Sequence, residues 1–269
     1  MSSIFATGTT GTIGKHFGGR ISKIGIDFTN PAPIKISYIK SGDIVLHAAA
    51  VVGSANVNKD RSLAHFINVK GSAKLAKFVK NLGIARFVYV STSHVYSNSD
   101  MLLTESSITS PDDIYAEQKL EAEQEITRIF RDTPESLCIV RVFSVLDWDT
   151  ADFTLGGGIK KLISPQSDFV LNNSDDTRDF LTPRQIANFL IDIANQHSLA
   201  GIVNLSSGTG TTVRDAAHKM IKISGYKFPK DRVTRGNSNK PYIVGDNHKL
   251  KSYLPDLDLV WSPSPWVRN

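Results

Sequence analysis

The N-terminal stretch from Ser3 to Phe17 constrains the fold most, because a short apolar run leads directly into closely spaced glycines. Ser3 to Ala6 has the pattern of a buried strand, and Gly8, Gly11 and Gly14 follow it. An amphipathic helix is predicted to begin near Ile13. A strand that turns on glycines into a helix leaves backbone N–H groups free at the positive end of the helix dipole. This stretch therefore predicts a binding site for the pyrophosphate of a dinucleotide.

Each glycine has an expected role in such a turn. Gly8 permits the tight turn, Gly11 lets the backbone approach the phosphates, and Gly14 lets the helix pack closely on the strand. The spacing departs from G-x-G-x-x-G, and a glycine-rich turn without a ligand is the alternative interpretation. The residues of this turn predicted to bind the cofactor are Gly8, Thr10, Gly11, Thr12, Ile13 and Gly14.

Strand and helix patterns alternate along the next part of the chain. The apolar run from Ile44 to Ala50 is typical of a strand buried on both faces, and its small residues Ala48, Ala49 and Ala50 would let a cofactor lie against the backbone. We interpret His47 within this run as a hydrogen-bonded core residue rather than a catalyst. Further strands are predicted at 24–28, 86–91, 137–143 and 202–205, and helices at 75–82, 110–131, 183–196 and 212–224. This order predicts an α/β fold with a parallel, doubly wound sheet.

Composition narrows the class of protein. The chain has 269 residues, of which 41% are hydrophobic and 21% are charged, as in ordinary globular proteins. No apolar run is long enough to span a bilayer and no signal-peptide pattern is present, so a cytoplasmic protein without a membrane partner is expected. The only cysteine, Cys138, excludes an internal disulfide and is expected to be a core thiol. The net charge of +5 is spread along the chain, which suits anionic small molecules rather than nucleic acid.

A tyrosine and a lysine four residues apart indicate possible chemistry. Tyr115 and Lys119 share one face of a predicted helix, and a neighbouring ammonium is expected to lower the phenol's pKa from about 10. Thr92 follows a predicted strand at the edge of the sheet where ligands bind. Its hydroxyl can hydrogen-bond a carbonyl or alcohol while Tyr115 transfers the proton, and a nicotinamide would supply hydride chemistry. Surface pairing of the tyrosine and the lysine is the alternative.

Taken together, these motifs resemble the extended short-chain dehydrogenase/reductase family, of the NAD-dependent epimerase/dehydratase type. No single motif is specific, but the set is, and it extends over most of the chain. The matching pieces are TGTTGTIG (7–14), DIVLHAAA (43–50), NVKG (68–71), RFVYVSTSHVY (86–96), YAEQK (115–119), RVFSV (141–145), RDF (178–180) and VNLSSG (203–208).

The resemblance implies the domain organisation and the partners. A Rossmann-type dinucleotide-binding domain is expected over residues 1–145, with 178–206 returning to it. A smaller C-terminal α+β substrate lobe is expected over residues 146–269. NAD or NADP is the implied cofactor, a nucleotide-sugar is the implied substrate, and a homodimer is the implied assembly. No metal is expected.

The resemblance also assigns residues by position. Thr92 matches the catalytic serine or threonine, Tyr115 the acid/base, and Lys119 its partner, which also binds the nicotinamide ribose. Asn68 matches the asparagine of that network. Arg178 falls where relatives hold the substrate pyrophosphate, and an arginine fork suits phosphate oxygens. A salt bridge of Arg178 with an acid such as Asp175 or Asp179 is the alternative.

The pair Ser93-His94 bears on the reaction. Related dehydratases carry Asp-Glu at these positions, so the Ser93-His94 pair argues against dehydration. A histidine can act as an acid or base near neutral pH, and we consider His94 a candidate catalytic residue. Alternatively, His94 and Ser93 line the substrate site.

The segment between Lys15 and Gly42 is shorter than in most relatives. Asp27 and Phe28 are predicted to contact the cofactor, and their sequence resembles the adenine-contacting stretch rather than the ribose-selecting strand end. Arg20 or Lys23 could equally hold a 2′-phosphate, so the choice between NAD and NADP stays open.

The resulting prediction is an NAD(P)-dependent nucleotide-sugar epimerase or keto-sugar reductase. The alternatives are a non-catalytic dinucleotide sensor on the same fold and a reductase of a non-sugar ketone.

Overall fold

The computed structural model describes residues 2–30 and 32–266. The strands are β1 Ile4–Thr7, β2 Ser22–Lys23, β3 Ile44–His47, β4 Arg86–Thr92, β5 Leu137–Val142, β6 Ser144–Val145, β7 Thr177–Leu181, β8 Gly201–Leu205, β9 Gly210–Thr212 and β10 Tyr242–Ile243. The α-helices are α1 Ser54–Val57, α2 Arg61–His65, α3 Ser72–Asn81, α4 Ile114–Ile129, α5 Leu155–Ile163, α6 Pro183–Asn195, α7 Val213–Ile223 and α8 His248–Tyr253. Among the described residues, no helix is both long and apolar enough to cross a membrane.

The main sheet has six parallel strands in the order β2-β1-β3-β4-β5-β8. Consecutive side chains of its strands point to opposite faces, so β1 sends Phe5 to one core and Ile4 and Ala6 to the other. Helix α6 covers the face of Ile4, and helices α3 and α4 cover the face of Phe5. The predicted doubly wound parallel sheet is therefore confirmed.

Chain order reverses where β1 lies between β2 and β3. Ligands of open α/β sheets bind in the crevice at such a switch point, beyond the carboxyl ends of the strands. At this place the turn from Gly8 to Gly14 meets the loop that follows β3. The topology therefore places the glycine turn at a switch point of the sheet, where the glycine pattern predicts a dinucleotide.

The predicted amphipathic helix after the glycine turn is wrong. The chain forms two short 3₁₀ turns instead, at Gly14–His16 and Gly18–Arg20. Gly18 has a φ of +65°, which ends the first turn in a left-handed conformation that glycine adopts without strain. The adjacent Gly19 disfavours renewed α-helix, while Phe17 is buried in the core and anchors the segment. An anion at the predicted site would therefore be bound by local backbone N–H groups rather than by a long helix dipole.

The strand predicted at 24–28 is also wrong in its position. Strand β2 is Ser22–Lys23, and the Ile24 N–H to Ala6 carbonyl bond of 2.7 Å is the last contact of that register. Gly25 follows, and the chain then runs without α-helix or strand to β3 in the described residues. Compared with the usual alternation of strands and helices, this side of the sheet is therefore reduced to one short strand.

Helix α4 begins later than the sequence predicted. Asp113, rather than Ser110, is its N-cap, and the Asp113 carboxylate accepts the Ala116 N–H at 2.9 Å. Ser110 instead donates its backbone N–H to Val95 at 3.0 Å. The helices predicted at 75–82, 183–196 and 212–224 are confirmed within a few residues at each end.

The C-terminal part builds a second, four-stranded sheet. Strand β7 pairs in parallel with β6 and β10, and in antiparallel with β9. Helices α5 and α7 pack near it around a buried cluster that includes Phe180, Met220 and Trp261. Helix α6 and strand β8 lie with the main sheet, whereas β7 does not. The proposed division of the chain into two domains stays a prediction.

Candidate active site

Two glycines of the turn are structurally required, Gly8 by its contact with the loop after β3 and Gly14 by the closeness of the turn's own backbone. A Cβ on Gly8, whose φ is +71°, would lie 2.6 Å from the Ala48 carbonyl carbon and from the Ala49 nitrogen. A Cβ on Gly14 would lie 2.0 Å from the Gly8 carbonyl oxygen. Both contacts are with backbone, which has little freedom to move. Gly8 therefore lets the turn pack on the loop after β3, and Gly14 lets the turn close on itself.

Gly11 stands apart from these two glycines. A Cβ at Gly11 would meet a single protein atom, the Gly8 carbonyl oxygen, at 3.3 Å. Gly11 and its neighbour Thr10 are exposed, and Thr12 and Ile13 are half-buried. Protein packing thus gives a weaker reason for glycine here than at Gly8. At the predicted site, glycine would be needed at this position so that a phosphate can approach the backbone closely.

His47 is a core residue, as the sequence predicted. Its Nδ1 lies 2.6 Å from the Thr7 hydroxyl, and its Nε2 lies 2.9 Å from the Ser72 hydroxyl. Ser72 donates to the Asn68 carbonyl at 2.7 Å, so it accepts from an Nε2–H of His47, and the Thr7 hydroxyl donates to Nδ1. Burial lowers the pKa of His47 to about 3. The neutral ring therefore connects β1, β3 and α3.

Asn68 lies in a π-helical turn, Phe66–Gly71, between α2 and α3. Its Oδ1 accepts the Val51 N–H at 2.8 Å, and its Nδ2 donates to the Val51 carbonyl at 3.0 Å and to Gln118 Oε1 at 2.9 Å. Asn68 therefore joins the loop after β3, which begins with Ala48, Ala49 and Ala50, to helix α4.

Lys119 anchors helix α4 on the main sheet. Its side chain is buried, its Nζ donates to the Val90 carbonyl at 2.7 Å, and it lies 4.0 Å from the centroid of the Tyr89 ring. Helix α4 connects two parallel strands and therefore runs opposite to them. Four residues of helix and two of strand each advance about 6 Å. Tyr115 is therefore level with Thr92 at the carboxyl edge of the sheet.

The expected lowering of the Tyr115 pKa is not found. Burial and the nearby Asp113 carboxylate raise the pKa of Tyr115 above its ordinary value. Burial also lowers the pKa of Lys119 to about 7, and its Nζ is bound to a backbone carbonyl. Among the described residues, no hydrogen bond joins the Tyr115 hydroxyl to Thr92 or Lys119. Tyr115 therefore keeps its proton at neutral pH.

The segment after Thr92 places a histidine beside an acid. The buried Thr92 side chain accepts the His94 N–H at 3.3 Å. The His94 side chain is 50% exposed, and its Nδ1 lies 3.6 Å from Asp113 Oδ2. Burial opposes ionisation of Asp113, but contacts from His94, the Ala116 N–H and the Ser54 hydroxyl lower its pKa overall. Asp113 has no sequence signal beyond its place near the start of the helix predicted at 110–131, so the sequence did not predict this pairing.

Arg178 and Ser93 belong to the predicted substrate site. Arg178 is half-buried in β7, and its Nη2 donates to Asp176 Oδ2 at 2.8 Å and to the Ser238 hydroxyl at 3.3 Å. The salt bridge thus forms with Asp176 rather than with Asp175 or Asp179. Ser93 is buried, and its hydroxyl has no partner among the described residues.

A small cavity lies next to the residues predicted to contact adenine. It has a volume of about 150 Å³ and is lined by Ile26, Asp27, Phe28, Ile34, Phe66, Lys70, Gly71 and Lys74. The Asp27 carboxylate is exposed and accepts from the backbone and hydroxyl of Thr29, which lowers its pKa. Lys23 is exposed, whereas the side chain of Arg20 lies outside the described residues. The mainly apolar lining has the chemistry to hold a flat aromatic base.

Comparison with known proteins identifies the class. The NAD dependent epimerase/dehydratase family matches residues 4–206. The chain belongs to this family. The resemblance predicted from the motifs is therefore confirmed.

Curated relatives include a reductase and an epimerase. The dTDP-4-dehydrorhamnose reductase of Mycobacterium tuberculosis is 27% identical over 139 residues, which cover 46% of this chain and 45% of the reductase. The chain therefore spans less than half the length of this relative. The UDP-glucose 4-epimerase of Rhizobium leguminosarum bv. trifolii is 25% identical over 240 residues, covering 80% of this chain and 73% of the epimerase.

Solved structures share the fold at low identity. The RMD protein of Pseudomonas aeruginosa, complexed with NADPH, has a TM-score of 0.81 and 18% identity and covers 100% of this chain and 95% of that one. The Thermus thermophilus UDP-glucose 4-epimerase, in complex with NAD, has a TM-score of 0.77 and 15% identity and covers 96% and 94%. At these identities the likeness confirms the Rossmann-type fold alone.

Proposed function

We propose that this protein is an NAD(P)-dependent oxidoreductase of a nucleotide-linked sugar, in which Tyr115 transfers the proton and Thr92 and Lys119 assist. The observation that carries the proposal is the contact of Lys119 with the Val90 carbonyl at 2.7 Å, which brings Tyr115 level with Thr92. Family membership and the names of the two relatives support the substrate class.

The residues at the crevice fit a dinucleotide. The turn around the exposed Gly11 would hold the pyrophosphate, and the cavity beside Phe28 would hold the adenine. Lys119 and Tyr115 would lie toward the nicotinamide ribose. When bound, the cofactor supplies or accepts the hydride.

Within this class we infer that reduction of a keto-sugar is the favoured reaction. In such a reduction Tyr115 would donate its proton to a carbonyl oxygen while the Thr92 hydroxyl hydrogen-bonds the same oxygen. A protonated Lys119 would then stabilise the phenolate. The short segment around β2 also leaves few contacts for the adenosine half of the cofactor, which favours the exchange that a reductase needs in every turnover.

Epimerisation by transient oxidation is the second candidate. It is favoured by the relative that matches the larger share of the chain, which is an epimerase. His94, paired with Asp113 at the same edge, is a candidate second acid/base in either reaction. An epimerase regenerates its cofactor on the enzyme and retains it, and this difference can be measured.

The test begins with mass spectrometry of dinucleotide released from the purified protein, followed by titration with NADH and NADPH. A reductase is expected to be purified empty and to bind the reduced cofactor reversibly. Retained NAD would instead indicate the epimerase. Turnover is then measured on a panel that includes UDP-glucose with NAD and dTDP-4-dehydrorhamnose with NADH or NADPH.

Tyr115→Phe is the decisive variant. It is expected to lose about 10²–10⁴-fold in kcat while the Kd for cofactor changes little, because only the proton-transferring hydroxyl is removed. A sensor would bind cofactor, turn over no substrate and keep its response in this variant.

Arg178→Ala should weaken turnover of phosphate-bearing substrates alone, and an equal loss with phosphate-free ketones would favour the non-sugar reductase. Failure to bind any dinucleotide at millimolar concentration would refute the proposal.

A cytoplasmic homodimer that pairs through α3 and α4 is part of the proposal. The candidate contacts Phe78 and Ile129 are only partly buried and pack against the core beneath these helices. Light scattering at micromolar protein should give twice the mass of the chain, and a monomer would refute this assembly. Cell fractionation tests the location.

A further inference from the structure

We propose that Lys240 is a positioning residue that fixes the two segments of the active site against each other. One segment carries Thr92 and His94, and the other leads into Tyr115. Lys240 lies far from both in sequence, on the chain that enters β10. The inference deepens the proposed function and rests on it for its catalytic consequence.

The ammonium group of Lys240 bonds to both segments. Its Nζ donates to the Tyr96 carbonyl at 2.8 Å and lies 3.4 Å from the His94 carbonyl, both in the segment after β4. It also lies 3.4 Å from the Ser110 carbonyl and 2.9 Å from Asp112 Oδ1, both in the segment before α4. Each segment thus contributes acceptors to one cation.

Burial makes these contacts consequential. The Lys240 side chain is only 10% exposed, and a lysine ammonium that leaves water needs compensating acceptors. One carboxylate and backbone carbonyls supply them here. The two segments already share a backbone bond from the Ser110 N–H to Val95, at 3.0 Å. Lys240 adds a charged link between the C-terminal part of the chain and this pair.

The same short segment also reaches Arg178, the predicted pyrophosphate ligand. The Ser238 hydroxyl accepts from Arg178 Nη2 at 3.3 Å and donates to the Lys240 carbonyl at 3.2 Å. The Ser238 N–H donates to Asp176, the partner of Arg178, at 2.8 Å. Residues 238–240 therefore join the place where the substrate phosphates are expected to the edge where the chemistry is expected. We infer that this segment sets Arg178, His94 and Tyr115 in one arrangement.

Lys249 provides a matched control. Its Nζ donates to the carbonyls of Ala200, at 3.1 Å, and Ile202, at 2.5 Å, so it makes the same kind of contact. These acceptors lie at the amino end of β8, the edge of the sheet opposite to Thr92. Lys249→Met should therefore affect stability without affecting the arrangement of the site.

The experiment compares Lys240→Met, Lys240→Arg and Lys249→Met in the full chain. Lys240→Met should lower kcat about ten- to hundredfold, because displacements of about 1 Å cost factors of this size. The Kd for NADPH should stay within about twofold, because none of the contacts described for Lys240 is with the turn from Gly8 to Gly14. Lys240→Arg should recover part of kcat by keeping the charge and the donors. Lys249→Met should leave kcat unchanged even if the midpoint of thermal unfolding falls.

An NMR measurement tests the positioning without any turnover. In protein labelled at histidine, the ring signal of His94, assigned by its loss in His94→Gln, should shift in Lys240→Met and stay in place in Lys249→Met. If the wild type turns over no substrate, the proposed function fails, while this spectrum still decides whether Lys240 positions the segment. An unmoved His94 signal, or an unchanged kcat in folded Lys240→Met, would overturn the inference.

Discussion

Alanine at Gly8 and alanine at Gly11 should have opposite consequences, although both residues belong to one turn. At Gly8 the added methyl would lie 2.6 Å from two backbone atoms, and the residue has a φ of +71°. The left-handed conformation costs about 1–2 kcal/mol for an L-residue. Displacing a packed neighbour costs about 1–3 kcal/mol more. Gly8→Ala should therefore lose about 2–5 kcal/mol of unfolding free energy.

At Gly11 the methyl meets one oxygen at 3.3 Å, and the residue is exposed. A slight adjustment relieves this contact, and replacing glycine by alanine also restricts the unfolded chain, which stabilises by about 0.4–1 kcal/mol. The stability of Gly11→Ala should thus stay within about 1 kcal/mol of wild type. The methyl would project where the pyrophosphate is expected, so the Kd for dinucleotide should rise at least about tenfold, which equals about 1.4 kcal/mol.

The assay pairs urea unfolding, followed by circular dichroism, with NADPH titration for the wild type and both variants. Gly8→Ala should have a lower unfolding free energy than the wild type. Gly11→Ala should have a higher Kd for NADPH while its unfolding free energy stays within about 1 kcal/mol of the wild type. A Gly11→Ala protein that binds NADPH with unchanged Kd would refute the placement of the pyrophosphate at this turn. A Gly8→Ala protein as stable as the wild type would refute the contact with Ala48.

Three further predictions follow from single residues. Burial lowers the pKa of Lys119 from 10.5 to about 7, so between these pH values the unfolded chain binds a proton that the folded chain does not. The unfolding free energy should therefore rise with pH from about 7 to 10.5, by at most about 1.4 kcal/mol per pH unit, and urea unfolding of Lys119→Met should no longer show this rise. Burial raises the pKa of Asp179 from 3.8 to about 6, so its protonation stabilises the fold below pH 6, and this contribution is lost as pH rises from about 4 to 6. Asp179→Asn should remove this pH dependence and cost about 1–3 kcal/mol of unfolding free energy at pH 7, because the carboxylate accepts the N–H groups of Ser207 and Gly208. An unaltered unfolding curve would contradict this prediction. The exposed Asp27 carboxylate accepts the Thr29 N–H, and β2 does not end on an acidic residue. Isothermal titration should therefore give Kd values for NADH and NADPH within about tenfold of each other. A preference of more than a hundredfold for NADH would show that a carboxylate does bind the ribose.

Local sequence patterns determined the architecture of the main sheet. The apolar runs before Ala48 and before Thr92 are typical of strands buried on both faces, and glycine at position 83 ends a helix because it adopts a positive φ. The spacing of Tyr115 and Lys119 likewise places both on one helical face whatever surrounds them. Each of these properties depends on neighbours within a few residues, so the sequence alone is sufficient.

The tertiary structure decided the properties that depend on distant groups. The segment after Gly14 had a helical pattern, but it forms 3₁₀ turns, with Phe17 buried in the core of the folded chain. The protonation of Tyr115 depends mainly on its burial, and no local pattern contains that quantity. Lys240 bonds to Tyr96 across 144 positions of sequence. Solvation and long-range contacts arise only when the chain has folded, and they decide how the residues that the sequence identifies are charged and held.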